Sequence, residues 1–136
     1  MKIWLCWFQG EQDSSLSSRD KACIQRWRDV AGMHEVVVLD ERKIAEILPE
    51  YIEITGNCKH ERSLQAKSDL LRLLLLNKYG GIWADTSVYP LVTADEIIQQ
   101  TTSKTNVFFY SFSKKRTSIA KGDRLTASWF VIATEP

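Results

Sequence analysis

The sequence predicts an α/β fold in which a mostly parallel central sheet is flanked by helices. Apolar runs of strand length at residues 3–8, 36–39 and 82–84 alternate with stretches whose apolar residues recur at helical spacing. In folds of this kind the strands lie side by side in parallel, and the connecting helices cover the faces of the sheet. Because 136 residues suffice for one ordinary domain, we expect residues 1–136 to form a single unit.

The first half of the chain is predicted to contain two strands and two helices. The unbroken apolar run at residues 3–8 indicates a buried strand. A helix follows at residues 17–31, with serines that can cap its start and a glycine directly after its end. A second buried strand at residues 34–39 leads into a short helix at residues 40–48, whose first residue is an aspartate that can serve as the cap.

The second half of the chain is predicted to contain a long leucine-rich helix, a short helix and three strands. Gly80 ends the long helix, because glycine readily adopts the backbone conformation found after a helix. The chain finishes directly after an apolar strand, and we expect a C-terminal part of the protein to be missing. In chain order the predicted elements are helix 63–79, strand 82–84, helix 94–100, strand 107–112 and strand 128–133.

Composition and charge exclude several classes of function. The net charge of +1 gives no general attraction to nucleic acid, so we expect none as a partner. The three cysteines contain no CxxC pair, which argues against a zinc site or disulfide framework and favours a reducing cytoplasm. The apolar N-terminal run is too short for a signal peptide, and charges interrupt the long helix, so neither segment predicts membrane insertion.

The long helix carries a polar stripe formed by Gln65, Ser68, Asp69 and Arg72. At 100° per residue these side chains share one face, and leucines fill most of the remainder of the helix. We expect the stripe to face inward, toward other polar groups or a cleft. Two interpretations are open: Asp69 and Arg72 form an ordinary ion pair three residues apart, or they contact a bound polar ligand.

Asp85 directly follows the third predicted strand, at the end of a sheet where open α/β proteins bind their ligands. Thr86 and Ser87 add hydroxyl groups but no second carboxylate. One carboxylate with neutral oxygens suits a hard cation such as Mg²⁺ or Mn²⁺, completed by ligand phosphates and water. The alternative is a structural turn, because all three residue types are common in turns.

Residues at the ends of the first two strands are further candidates. Trp7, Phe8 and Gln9 end the first strand, where they can stack on and hydrogen-bond a flat base; aromatic packing in the core is the alternative. Asp40 ends the second strand, where it can bind a ribose or simply cap a helix. No Walker A motif and no GxGxxG motif is present.

A basic segment at residues 114–124 contains five lysines and arginines. Solvation of these charges explains the segment without any partner. The other interpretation is contact with phosphates or with an anionic membrane surface. The five residues are Lys114, Lys115, Arg116, Lys121 and Arg124.

Two segments together resemble the core of the DXD-type sugar transferases: residues 67–72 (KSDLLR) and 79–87 (YGGIWADTS). This family includes capsular polysaccharide synthesis proteins, mannosyltransferase-like enzymes and the glucosylating bacterial toxins. Residues 3–10, 23–27 and 128–133 are similar to its first strand, first helix and a later strand, in the same order. The resemblance therefore covers nearly the whole chain.

The resemblance implies a GT-A type, Rossmann-like fold that binds a nucleotide sugar, with uracil as the expected base. Trp7 would stack on this base; Phe8, Gln9 and Asp40 stay candidates for the nucleotide site from their positions at the strand ends. Asp69 and Arg72 would hold the donor sugar and its phosphates, and Ser68 is a further donor-binding candidate from the same motif.

The resemblance also implies a divalent metal, Mn²⁺ or Mg²⁺. Asp85 would be the first acidic residue of the metal motif and, with Arg72, would stabilise the leaving diphosphate. Trp83 takes the aromatic position beside this motif. Ser87 stands where many members of the family carry a second aspartate, so it would be the second metal ligand in this chain.

The implied function is a retaining, metal-dependent hexosyltransferase of bacterial capsule or exopolysaccharide synthesis. Its acceptor would be a polysaccharide or a lipid-linked precursor, met in the cytoplasm at the inner face of the membrane. Two alternatives remain open: a fragment that binds a nucleotide sugar without turnover, and an unrelated α/β phosphate-binding domain. The identity of the donor sugar, the acceptor and the linkage does not follow from the residues.

Overall fold

A computed structural model of the chain describes residues 1–57, 63–102, 105–111 and 126–135. The predicted basic segment at residues 114–124 lies outside these ranges. None of the helices within them combines the length and apolar character that a membrane crossing requires. In chain order the elements are β1 (Lys2–Cys6), α1 (Ser18–Val30), β2 (Glu35–Leu39), α2 (Glu41–Ile47), α3 (Pro49–Gly56), α4 (Leu64–Tyr79), β3 (Gly81–Ala84), α5 (Ala94–Thr101), β4 (Val107–Ser111) and β5 (Thr126–Ala133).

The five strands form one mixed sheet in the order β2-β1-β3-β5-β4. β1 pairs in parallel with both β2 and β3, as predicted for the centre of the sheet. β5 runs antiparallel to β3 and to β4, so it reverses the direction shared by the other four strands. The expectation of a mostly parallel sheet therefore holds for the N-terminal part. β5 departs from it: β4 and β5 follow each other in the chain and pair antiparallel, which needs no crossover, and insertion of β5 beside β3 makes that pair antiparallel as well.

Helices cover both faces of the sheet, as the alternating pattern predicted. On one face, Ile3 and Leu5 of β1 and Ile82 of β3 form a core cluster with Ile24 and Trp27 of α1. These five side chains are almost completely buried, and each contributes roughly 2–3 kcal/mol through removal of apolar surface from water. The first helix is therefore fixed firmly against the two central strands.

The opposite face of the sheet is covered by α2, α3 and α4. Trp4 of β1 and Trp83 of β3 point to this side and contact Leu71 and Leu75 of α4 in a second core cluster. The indole N–H of Trp4 also donates to the carbonyl of Gly80 at 2.9 Å, which ties the end of α4 to β1. The long helix is thus held along the central strands, with its polar stripe at their carboxyl ends.

Local signals set most of the helix boundaries. Ser17, one of the two serines predicted as a cap, accepts a hydrogen bond from the backbone N–H of Asp20. Asp40 caps α2 by accepting from the backbone N–H of Lys43 at 2.7 Å. Gly80, with φ +61°, ends α4 as predicted. These capping predictions are confirmed.

One helix, α3, is not among the predicted elements. It begins at Pro49, where the missing N–H of proline costs nothing because the first N–H groups of a helix have no partner within it. Tyr51 anchors the helix in the core cluster beneath α4. Proline at this position starts a new helix and does not merely end the preceding one.

The strand order reverses at β1, because the chain places β2 on one side of β1 and β3 on the other. In open α/β sheets such a reversal leaves a crevice outside the carboxyl ends of the two diverging strands. Residues just after Cys6 of β1 and Ala84 of β3 therefore meet at one place. This is the position of the candidate site.

Candidate active site at the carboxyl edge of the sheet

A cleft of about 630 Å³ lies at the carboxyl ends of β1 and β3. Its remaining walls come from the start of α1 and the start of α4. Eight of the predicted site residues line it, so the fold brings together side chains from three separate parts of the sequence. These eight are Trp7, Phe8, Gln9, Ser68, Arg72, Trp83, Asp85 and Ser87.

Two predicted site residues, Asp40 and Asp69, lie outside this lining set. Asp69 is joined to the lining by an ion pair with Arg72. Asp40 serves as the cap of α2, as its capping interpretation predicted. A Cβ built at Gly10, in the loop after β1, would lie 3.9 Å from Oδ2 of Asp40, so this carboxylate is close to that loop. A role of Asp40 toward a ribose stays a prediction.

Arg72 lies beneath the cleft, and its side chain is only 4% exposed. Its Nη2 group is 2.9 Å from Oδ1 of Asp69 and 3.7 Å from Oδ1 of Asp85. A buried guanidinium without partners would cost several kcal/mol, so these two carboxylates compensate its burial. The predicted pair between Asp69 and Arg72 therefore exists, but it faces inward and includes the strand-end carboxylate.

The other N–H groups of Arg72 are also engaged. Nε donates to the carbonyl of Ser68 at 3.4 Å, and Nη1 donates to the carbonyl of Ser128 in β5. The guanidinium lies 5.2 Å from the centre of the Trp83 ring, within range of a cation–π interaction. Arg72 therefore clamps α4, β3 and β5 together at the floor of the cleft.

Asp85 is held by its neighbours on both sides. Its backbone N–H donates to the carbonyl of Trp129 at 2.8 Å, which continues the pairing of β3 with β5. The indole N–H of Trp83 donates to Oδ1 at 3.0 Å. Burial raises the pKa of Asp85 above its ordinary value, and the Trp83 hydrogen bond and the charge of Arg72 offset this only in part.

The described residues around Asp85 supply too few ligands to hold a metal ion alone, so a bound phosphate compound would have to supply the others. Within the described ranges, no group of three or more His, Cys, Asp or Glu side chains is placed to hold a metal ion. The Trp83 hydrogen bond engages Oδ1 of Asp85, which leaves Oδ2 for a cation, and the exposed Ser87 lines the same cleft. A hard cation that also takes phosphate oxygens and water suits this donor set.

Trp7 both packs against the core and lines the cleft, so neither interpretation of it excludes the other. Its indole N–H is buried and has no hydrogen-bond partner in the described part of the chain. A buried donor without a partner is uncommon in folded proteins and is often explained by a ligand or a water molecule. Burial and the charges of Asp85 and Asp40 raise the pKa of the neighbouring Cys6 to about 12, which favours the thiol over the nucleophilic thiolate at neutral pH.

Among the polar and charged residues that line the cleft, the sequence did not single out Ser15, Arg19 and Asp20. They come from the loop before α1 and from its first turn. The topology alone could have indicated these residues, because the first helix after a central strand starts at the carboxyl edge of the sheet, where the cleft lies. Residue types alone did not distinguish Arg19 from the other exposed arginines.

The fold and the cleft define an α/β protein whose polar site lies where the strand order reverses. Residues 1–136 match the model of the family described as capsular polysaccharide synthesis protein. The chain belongs to this family, and its membership indicates a role in capsule synthesis. No curated protein and no solved structure matches the chain.

We expect replacement of Arg72 by alanine to lower the free energy of unfolding by about 2–3 kcal/mol. The substitution leaves Asp69 and Asp85 without their shared cation and the Ser128 carbonyl without its donor. The loss falls below that for a fully buried pair because both carboxylates are about one-third exposed. Urea denaturation followed by circular dichroism measures it.

Arg42→Ala is the matched control for this measurement. Arg42 is 78% exposed and faces Glu46 at 3.8 Å, so its removal should change the free energy of unfolding by less than about 0.5 kcal/mol. Equal losses of unfolding free energy in Arg72→Ala and Arg42→Ala would contradict a stabilising role for the contacts of Arg72 with Asp69, Asp85 and Ser128.

Proposed function

We propose that this chain is the donor-binding catalytic domain of a glycosyltransferase. It would transfer a hexose from a nucleotide sugar, with a UDP-sugar as the first candidate, to a polysaccharide or glycolipid precursor of the capsule. The observation that carries this proposal is the convergence of Trp7, Arg72, Trp83 and Asp85 at one cleft. Family membership supports it, since capsule synthesis requires the transfer of sugars.

The sheet supports assignment to a GT-A type fold. Its parallel strands β1, β2 and β3 and the helices on both faces form a Rossmann-like unit that ends in a site at the strand reversal. An unrelated phosphate-binding domain explains less. It gives no reason for two separate motifs, at residues 67–72 and 79–87, to meet around Arg72 and Asp85.

The charges of the cleft support a requirement for a divalent metal. Arg72 is already compensated by Asp69 and Asp85, so it offers little net positive charge to a diphosphate. When bound between Asp85, Ser87 and the phosphates, Mn²⁺ or Mg²⁺ would neutralise charge that builds on the leaving diphosphate. Arg72 and Trp83 would meanwhile fix the carboxylate of Asp85 in position.

Other residues of the cleft would position the donor. Trp7 offers a ring surface for the base, and Phe8 and Gln9 line the same wall. Ser68, which lines the cleft, would contact the hexose, and Asp69, which lies outside the lining, would act on the donor through its ion pair with Arg72. Retention at the anomeric carbon and an acceptor presented at the inner face of the membrane belong to the same proposal.

The test is metal-dependent turnover of nucleotide sugars. The purified chain is incubated with a panel of UDP-hexoses and GDP-mannose, with Mn²⁺ or with EDTA, and released nucleoside diphosphate is measured. We expect one donor to be hydrolysed or transferred in Mn²⁺ and not in EDTA. Absence of turnover with every donor, in the presence of Mn²⁺ and a crude glycolipid acceptor, contradicts a catalytic role for this chain.

A second candidate function is binding of a nucleotide sugar without turnover. Ser87 favours it, because it stands where a second carboxylate would complete the metal motif, and the described residues supply no larger cluster of ligands. Titration calorimetry with UDP and Mn²⁺ separates the two candidates. Binding without release of diphosphate from any donor supports the second, and measurable transfer removes it.

A further inference from the structure

Arg19 is a cation of the cleft that the proposed roles do not use. It lies in the first turn of α1 and lines the cleft, with a side chain that is 74% exposed. Arg72, in contrast, is 4% exposed and bonded to protein groups on several sides. Among the described residues that line the cleft, Arg19 is the arginine or lysine that an incoming anion can reach directly.

Arg19 is held in place by a buried carboxylate. Its Nε and Nη2 groups donate to Oδ1 of Asp20 at 3.2 and 3.0 Å, and Asp20 is only 6% exposed. The other oxygen of Asp20 accepts from the hydroxyl of Ser17 at 2.8 Å. These hydrogen bonds restrain the guanidinium in the wall of the cleft, and they leave its Nη1 group for a ligand.

The position of Arg19 suits phosphate oxygens. It lies at the start of a 13-residue helix, where the helix dipole favours a negative charge. A guanidinium forms charge-assisted hydrogen bonds with phosphates and is more weakly hydrated than an ammonium group. The cleft also contains the carboxylates of Asp20 and Asp85, so a diphosphate there needs a cation that it can reach, which the 74% exposed Arg19 offers and the buried Arg72 does not.

We infer that Arg19 contacts the diphosphate of the nucleotide donor from the α1 side of the cleft. This inference rests on the proposed function. In this arrangement the exposed Arg19 contacts the phosphates, while the buried Arg72 holds the carboxylates of Asp69 and Asp85 in position. Arg19 itself is 74% exposed, and Asp20 keeps its hydrogen bond from the Ser17 hydroxyl when Arg19 is replaced, so we expect the Arg19 variants to fold.

The experiment is titration calorimetry of the full chain with UDP, GDP, CDP and ADP in the presence of Mn²⁺. The diphosphate that binds the wild-type chain most tightly is then titrated into three variants. Arg19→Ala should bind about tenfold more weakly, and Arg19→Lys should recover part of this loss because it keeps the charge. The matched control is Arg42→Ala, which removes an exposed arginine with a carboxylate partner outside the cleft.

Salt dependence provides a readout that a purely structural role would not change. If Arg19 contacts the diphosphate, wild-type affinity falls more steeply with NaCl concentration than the affinity of Arg19→Ala. Equal affinities and equal salt slopes for the two proteins overturn the inference while leaving donor binding intact. If no diphosphate binds the wild-type chain, the inference fails together with the donor site of the proposed function.

Discussion

Replacing Asp85 by asparagine is expected to lower metal-dependent turnover about 100- to 1000-fold. Asparagine keeps the size of the side chain and an oxygen that can accept from Trp83, but it removes the charge that would bind the cation. Initial rates of diphosphate release are measured over a range of Mn²⁺ concentrations. We expect a weaker dependence on Mn²⁺ as well as a lower maximal rate.

The same substitution should preserve the fold. Burial raises the pKa of Asp85 above its ordinary value of 3.8, so the folded state binds its proton more tightly than the unfolded chain does. The stabilisation that protonated Asp85 gives the folded state is fully present below pH 3.8, and it is lost as the pH rises through the pKa of Asp85 in the folded state. The neutral asparagine does not titrate. The stability of Asp85→Asn relative to the wild type should therefore increase with pH across that window.

Asp29→Asn is the control for this prediction. Asp29 is exposed on α1, where it accepts a hydrogen bond from Gln25, and it does not line the cleft. Its replacement should leave turnover and Mn²⁺ dependence unchanged. Full activity in Asp85→Asn would show that the proposed metal role of Asp85 is wrong, whatever the control does.

Replacing Gly81 by alanine is expected to lower the free energy of unfolding by more than about 3 kcal/mol. Gly81 has φ +106°, a conformation that residues with a Cβ rarely adopt. A Cβ built there would lie 2.4 Å from the carbonyl oxygen of Lys2 and 2.9 Å from the indole nitrogen of Trp4. The first contact is with backbone, so β1 and β3 must separate at the centre of the sheet to relieve it.

Thermal and urea unfolding measure this effect, and Gly56→Ala is the control. A Cβ at Gly56, the last residue of α3, would meet nothing within 4 Å. Alanine there should be neutral or stabilise the protein by up to about 1 kcal/mol, because it has the higher helix propensity. A Gly81→Ala variant as stable as Gly56→Ala would contradict the close approach of β1 and β3.

Most elements were predictable because their signals are local. The apolar run of β1, the leucine pattern of α4 and the caps at Ser17, Asp40 and Gly80 act through neighbouring residues in the chain. The inward direction of the polar stripe was also predictable. Helical geometry put Ser68 and Arg72 on one face, and both line the cleft.

The remaining features depend on contacts between distant segments. Periodicity does not specify which strands become neighbours, so the reversed direction of β5 between β3 and β4 was not predicted. Arg19 had no distinguishing local signal and acquires its position from the packing of α1 beside β1 and β3. The site residues after β1 and β3 meet because these strands pair, although about 80 residues separate them in the chain.

By itself the sequence determined most helices and strands and their caps. It also identified the polar residues that stand within or directly after apolar segments, such as Arg72 and Asp85. The tertiary structure decided what those residues contact. It buried Arg72 between Asp69 and Asp85, engaged the Asp85 carboxylate with Trp83, and set Gly81 against the backbone of Lys2. The physical reason is that caps and periodicity act over a few residues, whereas burial and charge compensation depend on which distant segments fold together.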